Sequence, residues 1–122
     1  MSKIVLWVSD LDAQVDFYSR LFDVAHAYRD SGFAEVTDGT NSVLLHQLPA
    51  EYAAATPLTA QLSVQDEVAI KPVFTVANIQ DAHARTADSF ATFADKTATY
   101  GEFTYRDVVD PEGNVIQLQQ RN

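Results

Sequence analysis

The chain has 122 residues, 47% of them apolar, and a formal net charge of −9, a composition that suits one compact domain, or two half-domains sharing a core. Clusters of Lys and Arg are missing, which argues against nucleic acid and anionic membrane as partners. With no cysteine, disulfides, thiolate metal ligands and a cysteine nucleophile are excluded too.

Ile4–Val8 reads as the first strand, with Lys3, Val5 and Trp7 on one face and Ile4, Leu6 and Val8 on the other. This run is too short for a signal-peptide core or a membrane span, so the cytoplasm is the expected location. Asp10 then caps a helix in which Leu11, Val15, Tyr18 and Phe22 recur at helical spacing. Strands are expected over 24–29, 33–37 and 42–48, separated by turns at Asp30-Ser31-Gly32 and Asp38-Gly39-Thr40-Asn41. Module one, about 1–48, is thus β-α-β-β-β. A connecting segment of about 49–67 follows, loosest around Ala53-Ala54-Ala55-Thr56-Pro57 and Gln65-Asp66-Glu67.

Module two, about 68–122, repeats the order. Its first strand is expected over 69–76, with Pro72 pushing part of it to an edge or irregular position. Asn78 caps a helix over 79–90 that turns Ile79, Ala82, Thr86 and Phe90 towards the sheet. Strands over 92–98, 102–109 and 114–120 complete it. The two strand-helix junctions align without a gap: Lys3 with Lys71, Val5 with Val73, Val8 with Val76, Asp10 with Asn78, and Leu11 with Ile79. So long a period indicates two copies of one supersecondary unit rather than a solenoid. The last two strands are joined by Asp110-Pro111-Glu112-Gly113, which has the residue order of a type I turn.

With Val8-Ser9-Asp10-Leu11, Phe17-Tyr18 and the closing Asp110-Pro111-Glu112-Gly113-Asn114, the chain resembles the glyoxalase / bleomycin-resistance / dioxygenase superfamily, the vicinal oxygen chelate fold. The resemblance covers essentially the whole chain. It implies an α+β architecture of two paired β-α-β-β-β modules forming an open, cup-shaped mixed sheet, with small molecules bound in the cup. It also implies a homodimer, the cup being completed across the subunit boundary.

Family enzymes hold a divalent metal on the first and last strands of each module, commonly through His and Glu. The resemblance puts those positions at Lys3, Lys71 and Gln117, with the fourth at His46 if Leu45-His46-Gln47 aligns with Ile116-Gln117-Leu118. A one-residue slip would bring Leu45 into the cup and turn His46 outward. Lysine ammonium repels a divalent ion, Gln117 offers a neutral amide, and one imidazole cannot retain a transition metal. No metal site and no cofactor are expected.

For Lys3 and Lys71 two readings stand: a clamp for an anion, with Schiff-base chemistry as a variant, or ammonium groups reaching solvent while their stems cover apolar surface. Val5 and Trp7 share the Lys3 face, and Trp7 either stacks on a planar or cationic ligand or fills the core. Tyr100, Phe103 and Tyr105 stand before the terminal turn, as ligand contacts or as packing residues. Glu35 and Asp107 are polar contacts for a cation or solvated groups. His26 and His83 show no partner, and His83 is expected to be exposed. No nucleophile-base set and no phosphate-cradling glycine loop is legible.

The function expected is metal-independent binding, or sequestration, of a small organic molecule, similar to the bleomycin-resistance branch where binding a drug is itself protective. A metal-dependent lyase, isomerase or dioxygenase and a catalytically silent regulatory subunit are the alternatives.

Overall fold

The computed structural model describes residues 2–51 and 69–122. Most of the connecting segment expected at 49–67 therefore lies outside the described residues. The first half runs β1 (Ile4–Val8), α1 (Leu11–Leu21), β2 (Tyr28–Asp30), β3 (Phe33–Thr37) and β4 (Ser42–Gln47). The second runs β5 (Val73–Thr75), α2 (Ile79–Arg85), β6 (Thr92–Phe93), β7 (Ala98–Tyr100), β8 (Phe103–Val109) and β9 (Val115–Arg121). The strands form one sheet of order β1-β4-β3-β2 and another of order β5-β9-β8-β6, with β7 also pairing on β8. In each sheet the first strand lies parallel to the last, and the other pairs are antiparallel. The architecture is α+β, two paired β-α-β-β-β modules making an open cup of mixed sheet.

The duplication extends to the hydrogen bonds. Asp10, in extended backbone, accepts from the Ala13 N–H at 3.0 Å, and Asn78 accepts from the Asp81 N–H at 2.8 Å. Each cap satisfies an N–H that the helix itself leaves free, worth about 1 kcal/mol. The last strand of each half supplies a glutamine for the next such N–H: Leu11 donates to Gln47 Oε1 at 3.2 Å and Ile79 to Gln120 Oε1 at 2.7 Å. At the far end of α1, the Arg85 guanidinium donates to the Arg20 and Leu21 carbonyls at 2.6 and 2.9 Å, tying α2 to α1.

Three elements are shorter than expected. Val24 donates its N–H back to the Ser19 carbonyl at 2.8 Å, so residues just after α1 close the helix and β2 starts at Tyr28. Pro72 has no N–H for a ladder, and β5 starts one residue later. α2 ends at Arg85 because the buried Thr86 hydroxyl bonds back to the Ala82 and His83 carbonyls while successive N–H groups reach back three residues, tightening the turn. Phe90, expected against the sheet, is consequently 90% exposed. The strand expected over 92–98 is broken into β6 and the start of β7.

One apolar cluster spans both halves. Phe17, Tyr18 and Leu21 of α1 share it with Val43 and Leu45 of β4, and with Phe74, Val108, Ile116 and Leu118 of the second half. Phe74 meets the edges of the Phe22 and Tyr18 rings at centroid distances of 5.1 and 6.3 Å. Each such side chain contributes about 1.5–3 kcal/mol by leaving water. Among the described residues no helix is long and apolar enough to cross a membrane.

Candidate functional site: the open face of the cup

The turn after β8 acts as a clasp. Asp110 is 1% exposed, and its carboxylate accepts from Tyr18 Oη at 2.8 Å, Gln14 Nε2 at 3.0 Å and Asn114 Nδ2 at 2.9 Å. It also accepts the backbone N–H groups of Glu112 and Asn114 at 2.9 and 3.0 Å. These five donors replace the water that a buried carboxylate loses. Glu112 grips the end of β1, taking the Ser9 N–H at 2.8 Å and the Asp10 N–H at 2.9 Å. Gly113, at φ +90°, donates to the Asp110 carbonyl at 3.0 Å and closes the turn in a conformation that favours glycine.

A matching contact joins the other ends of the sheets. The Asn41 amide donates to the Thr75 carbonyl at 2.7 Å and accepts the Thr75 N–H at 3.1 Å. The two halves are thus tied at two places, the end of β1 to the β8–β9 turn and the β3–β4 turn to β5. A cleft of about 340 Å³ lies between β1 and the start of β9, bounded by Ile4, Leu6 and Trp7 on one side and Pro72, Val115 and Ile116 on the other.

Side chains on the helix-free face of the first sheet form rows fixed by register. Trp7 pairs with His46 and His46 with Phe33, and the rings follow with centroids 5.0 and 4.9 Å apart. Tyr28 extends the row, 6.1 Å from Phe33. Trp7 is 60% exposed, so it is not core filler, and Leu45, not His46, is the fully buried neighbour. The one-residue slip does not occur. Register does correct the fourth ligand position, since Leu44 pairs with Val5 as Gln117 pairs with Val73. Leu44 is therefore the counterpart of Gln117, and His46 lies two residues further along the same face.

The two lysines occupy matching positions and have matching partners. Lys3 Nζ lies 2.9 Å from Glu35 Oε2, and Lys71 Nζ lies 2.8 Å from Asp107 Oδ2. A third group steadies each acid: the Ser42 hydroxyl donates to Glu35 at 3.0 Å, and Gln117 Nε2 donates to Asp107 at 2.9 Å. The Lys3 hydrogen bond, then that from Ser42, holds the Glu35 carboxyl below its usual range. Both lysines are half-exposed, and each is paired with an acid of its own half.

This donor set does not fit a divalent metal. Two ligand positions carry ammonium groups, a third an amide and the fourth a leucine, while the nearby carboxylates are engaged by lysine. Among the described residues no group of three His, Asp or Glu side chains could hold a metal ion.

On the second sheet Tyr105 pairs with Gln119 and Phe103 with Arg121, whose guanidinium lies 4.8 Å over the Phe103 ring. Tyr100 and Phe103 each lie 6.2 Å from Tyr105. His26 is exposed, as is Val5. His83, expected to be exposed and unpartnered, is instead half-buried and stacked on Phe93 of β6 at 4.2 Å.

A sequence profile of the Glyoxalase/Bleomycin resistance protein/Dioxygenase superfamily matches residues 1–118. The chain belongs to this superfamily. Solved structures agree on the fold. A glyoxalase/bleomycin resistance protein from Albidiferax ferrireducens T118 superposes with a TM-score of 0.70 at 15% identity, over 100% of this chain and 98% of that one. A bleomycin resistance determinant encoded on the transposon Tn5 gives 0.63 at 17% identity, over 100% and 98%. The fosfomycin resistance protein FosX from Mesorhizobium loti gives 0.67 at 13% identity, over 100% and 92%. No curated protein sequence matches the chain. Phe33 and Tyr28 on the first sheet and Gln119 on the second escaped sequence reasoning, although Phe33 stands two residues from Glu35 and so shares its face by strand alternation.

Proposed function

We propose that this superfamily member is one domain over residues 1–122 that binds, and thereby sequesters, a small organic molecule in its cup without a metal cofactor. The observation that carries this reading is the row Trp7-His46-Phe33-Tyr28, four rings in contact on the face that the helices leave open. Rings are kept in water where a ligand will cover them, and exposed aromatic surface of this kind marks a binding site. The ion pairs at Lys3 and Lys71 support metal independence, because binding a metal there would first require breaking both.

The test is a thermal-shift screen of small organic molecules run with and without added Zn²⁺, Ni²⁺ and Mn²⁺, since a ligand that binds only the folded chain raises its melting temperature. Stabilising ligands are expected to act equally in both series, and elemental analysis is expected to find no stoichiometric metal. One tightly held transition metal per chain would overturn the reading.

The same proposal has the protein working in the cytoplasm as a homodimer, with no nucleic-acid or membrane partner. Trp7, Tyr28 and Tyr100 are 60%, 63% and 72% exposed in the single chain, and a second copy would complete the walls around them. Light scattering should give twice 13.5 kDa at micromolar concentration. A strict monomer that still binds ligand would show that one chain closes its own cup.

A further inference from the structure

Trp7 belongs to two surfaces at once. Its ring heads the row that continues through His46 and Phe33, and the same residue lines the cleft of about 340 Å³ between β1 and the start of β9. The rings of the second sheet, Tyr100, Phe103 and Tyr105, line no part of that cleft. Its walls are otherwise mainly aliphatic, among them Ile4, Leu6, Ile70 and Val115, and its volume falls at the lower end of small-molecule sites, about 300–1,000 Å³. Strand alternation puts Trp7 and Val115 on the open face and Ile4 and Leu6 on the face packed against the core, so the cleft leads inward from the cup. The two polar residues of the wall are already engaged, Glu112 by the Ser9 and Asp10 N–H groups and the Asn114 amide by Asp110. Ile70, by contrast, is 74% exposed, an aliphatic side chain whose cover would be a gain.

We infer that the ligand of the ring row carries a saturated hydrocarbon arm, and that this arm lies in the cleft beside Trp7. This rests on the binding function proposed above and assigns that ligand its class, an alkyl-substituted aromatic. Trp7 is the hinge of the arrangement, because a ring stacked on it stands at the mouth of the cleft. An arm on that ring reaches the aliphatic walls without leaving the ring row. A polar arm would lose its water to walls whose own polar groups are satisfied, so the cleft selects for hydrocarbon.

Calorimetric titration with 4-methylphenol, 4-butylphenol and 4-hexylphenol varies the arm while ring and hydroxyl stay the same. Affinity should rise about two- to fourfold per added methylene, the gain for partial to full burial of each group. Leu6→Trp, which fills the cleft, should flatten the series and leave 4-methylphenol affinity unchanged. Should that variant fail to fold, Ile70→Asp, at an exposed position, sets a charge in the wall and should lower the gain per methylene. Equal affinity along the series, or a rise that survives these substitutions, would overturn the inference. So would a Leu6→Trp protein whose mass by light scattering falls below that of the parent, because a second copy would then be what fills the cleft. If 4-methylphenol binds and loses affinity in Phe33→Ala, a residue outside the cleft lining, the proposed function stands even where the inference fails. If none of the three binds at millimolar concentration, both fall.

Discussion

Replacing Asp110 with alanine lowers the unfolding free energy by about 3–5 kcal/mol, a large part of the total for a chain of this size. The change removes one carboxylate but strands five donors, three of them on Tyr18, Gln14 and Asn114 and two on the backbone of the turn. Buried donors without acceptors cost more than the bonds themselves contributed. Because Gln14 and Tyr18 belong to α1 and Asp110 to the second half, the loss also loosens the joint between the modules. Urea unfolding should show the midpoint fall sharply, and a drop under about 1 kcal/mol would show that water takes the carboxylate's place. Tyr18→Phe removes only one donor and should cost about 1–3 kcal/mol. It should also change the alkaline limb. Burial first, and then the Asp110 charge, raise the Tyr18 phenol well above its ordinary value. The folded state therefore holds this proton more tightly than the unfolded one. The associated stability is complete below the unfolded value of about 10 and is lost as pH rises through the folded value. The phenylalanine variant should lose less stability than the parent above about pH 10.

The second large effect falls on binding. Trp7→Ala removes one exposed end of the ring row and should weaken a cup-bound aromatic ligand about tenfold or more, combining lost area with a stacking contribution of about 0.5–1.5 kcal/mol. The fold should be unaffected, since Trp7 is outside the core cluster. The comparison is Lys3→Gln with Lys71→Gln. Each lysine neutralises one acid of its own sheet, so the double change should leave affinity for a neutral ligand within about threefold, the scale of a surface ion pair. If the lysine pair abolishes binding and Trp7→Ala does nothing, the cup holds an anion and the aromatic reading is wrong.

The strand-helix junctions were legible because they are local. Asp10 and Asn78 are capping residues placed just before apolar helical runs, and both cap as expected. β1 and β3 likewise fall where alternation puts them. What sequence could not supply was register. Whether His46 or Leu44 matches Gln117 depends on which residues lie opposite each other across β1 and β4, and alternation alone cannot separate a strand from its copy shifted by two. The partners of Lys3 and Lys71 were hidden for the same reason, being two strands away. The strength of the Asp110 turn as a motif was visible, but not its purpose, since Gln14 looks from sequence like a surface residue on a helix and is fully buried.

The division of labour between the two sides of each strand has an evolutionary consequence. Caps, glutamine hooks and the Asp110 and Asn41 contacts all sit behind the sheet or at its ends, and there the halves remain near copies of each other. On the open side Trp7 faces Thr75 across the internal symmetry, and His46 faces Gln119, with little in common. On the proposed function, mutations on that side would alter what is recognised without touching the core cluster. A scaffold partitioned in this way can acquire a new specificity in one half while the other half, and the stability of the whole, stay under unchanged selection.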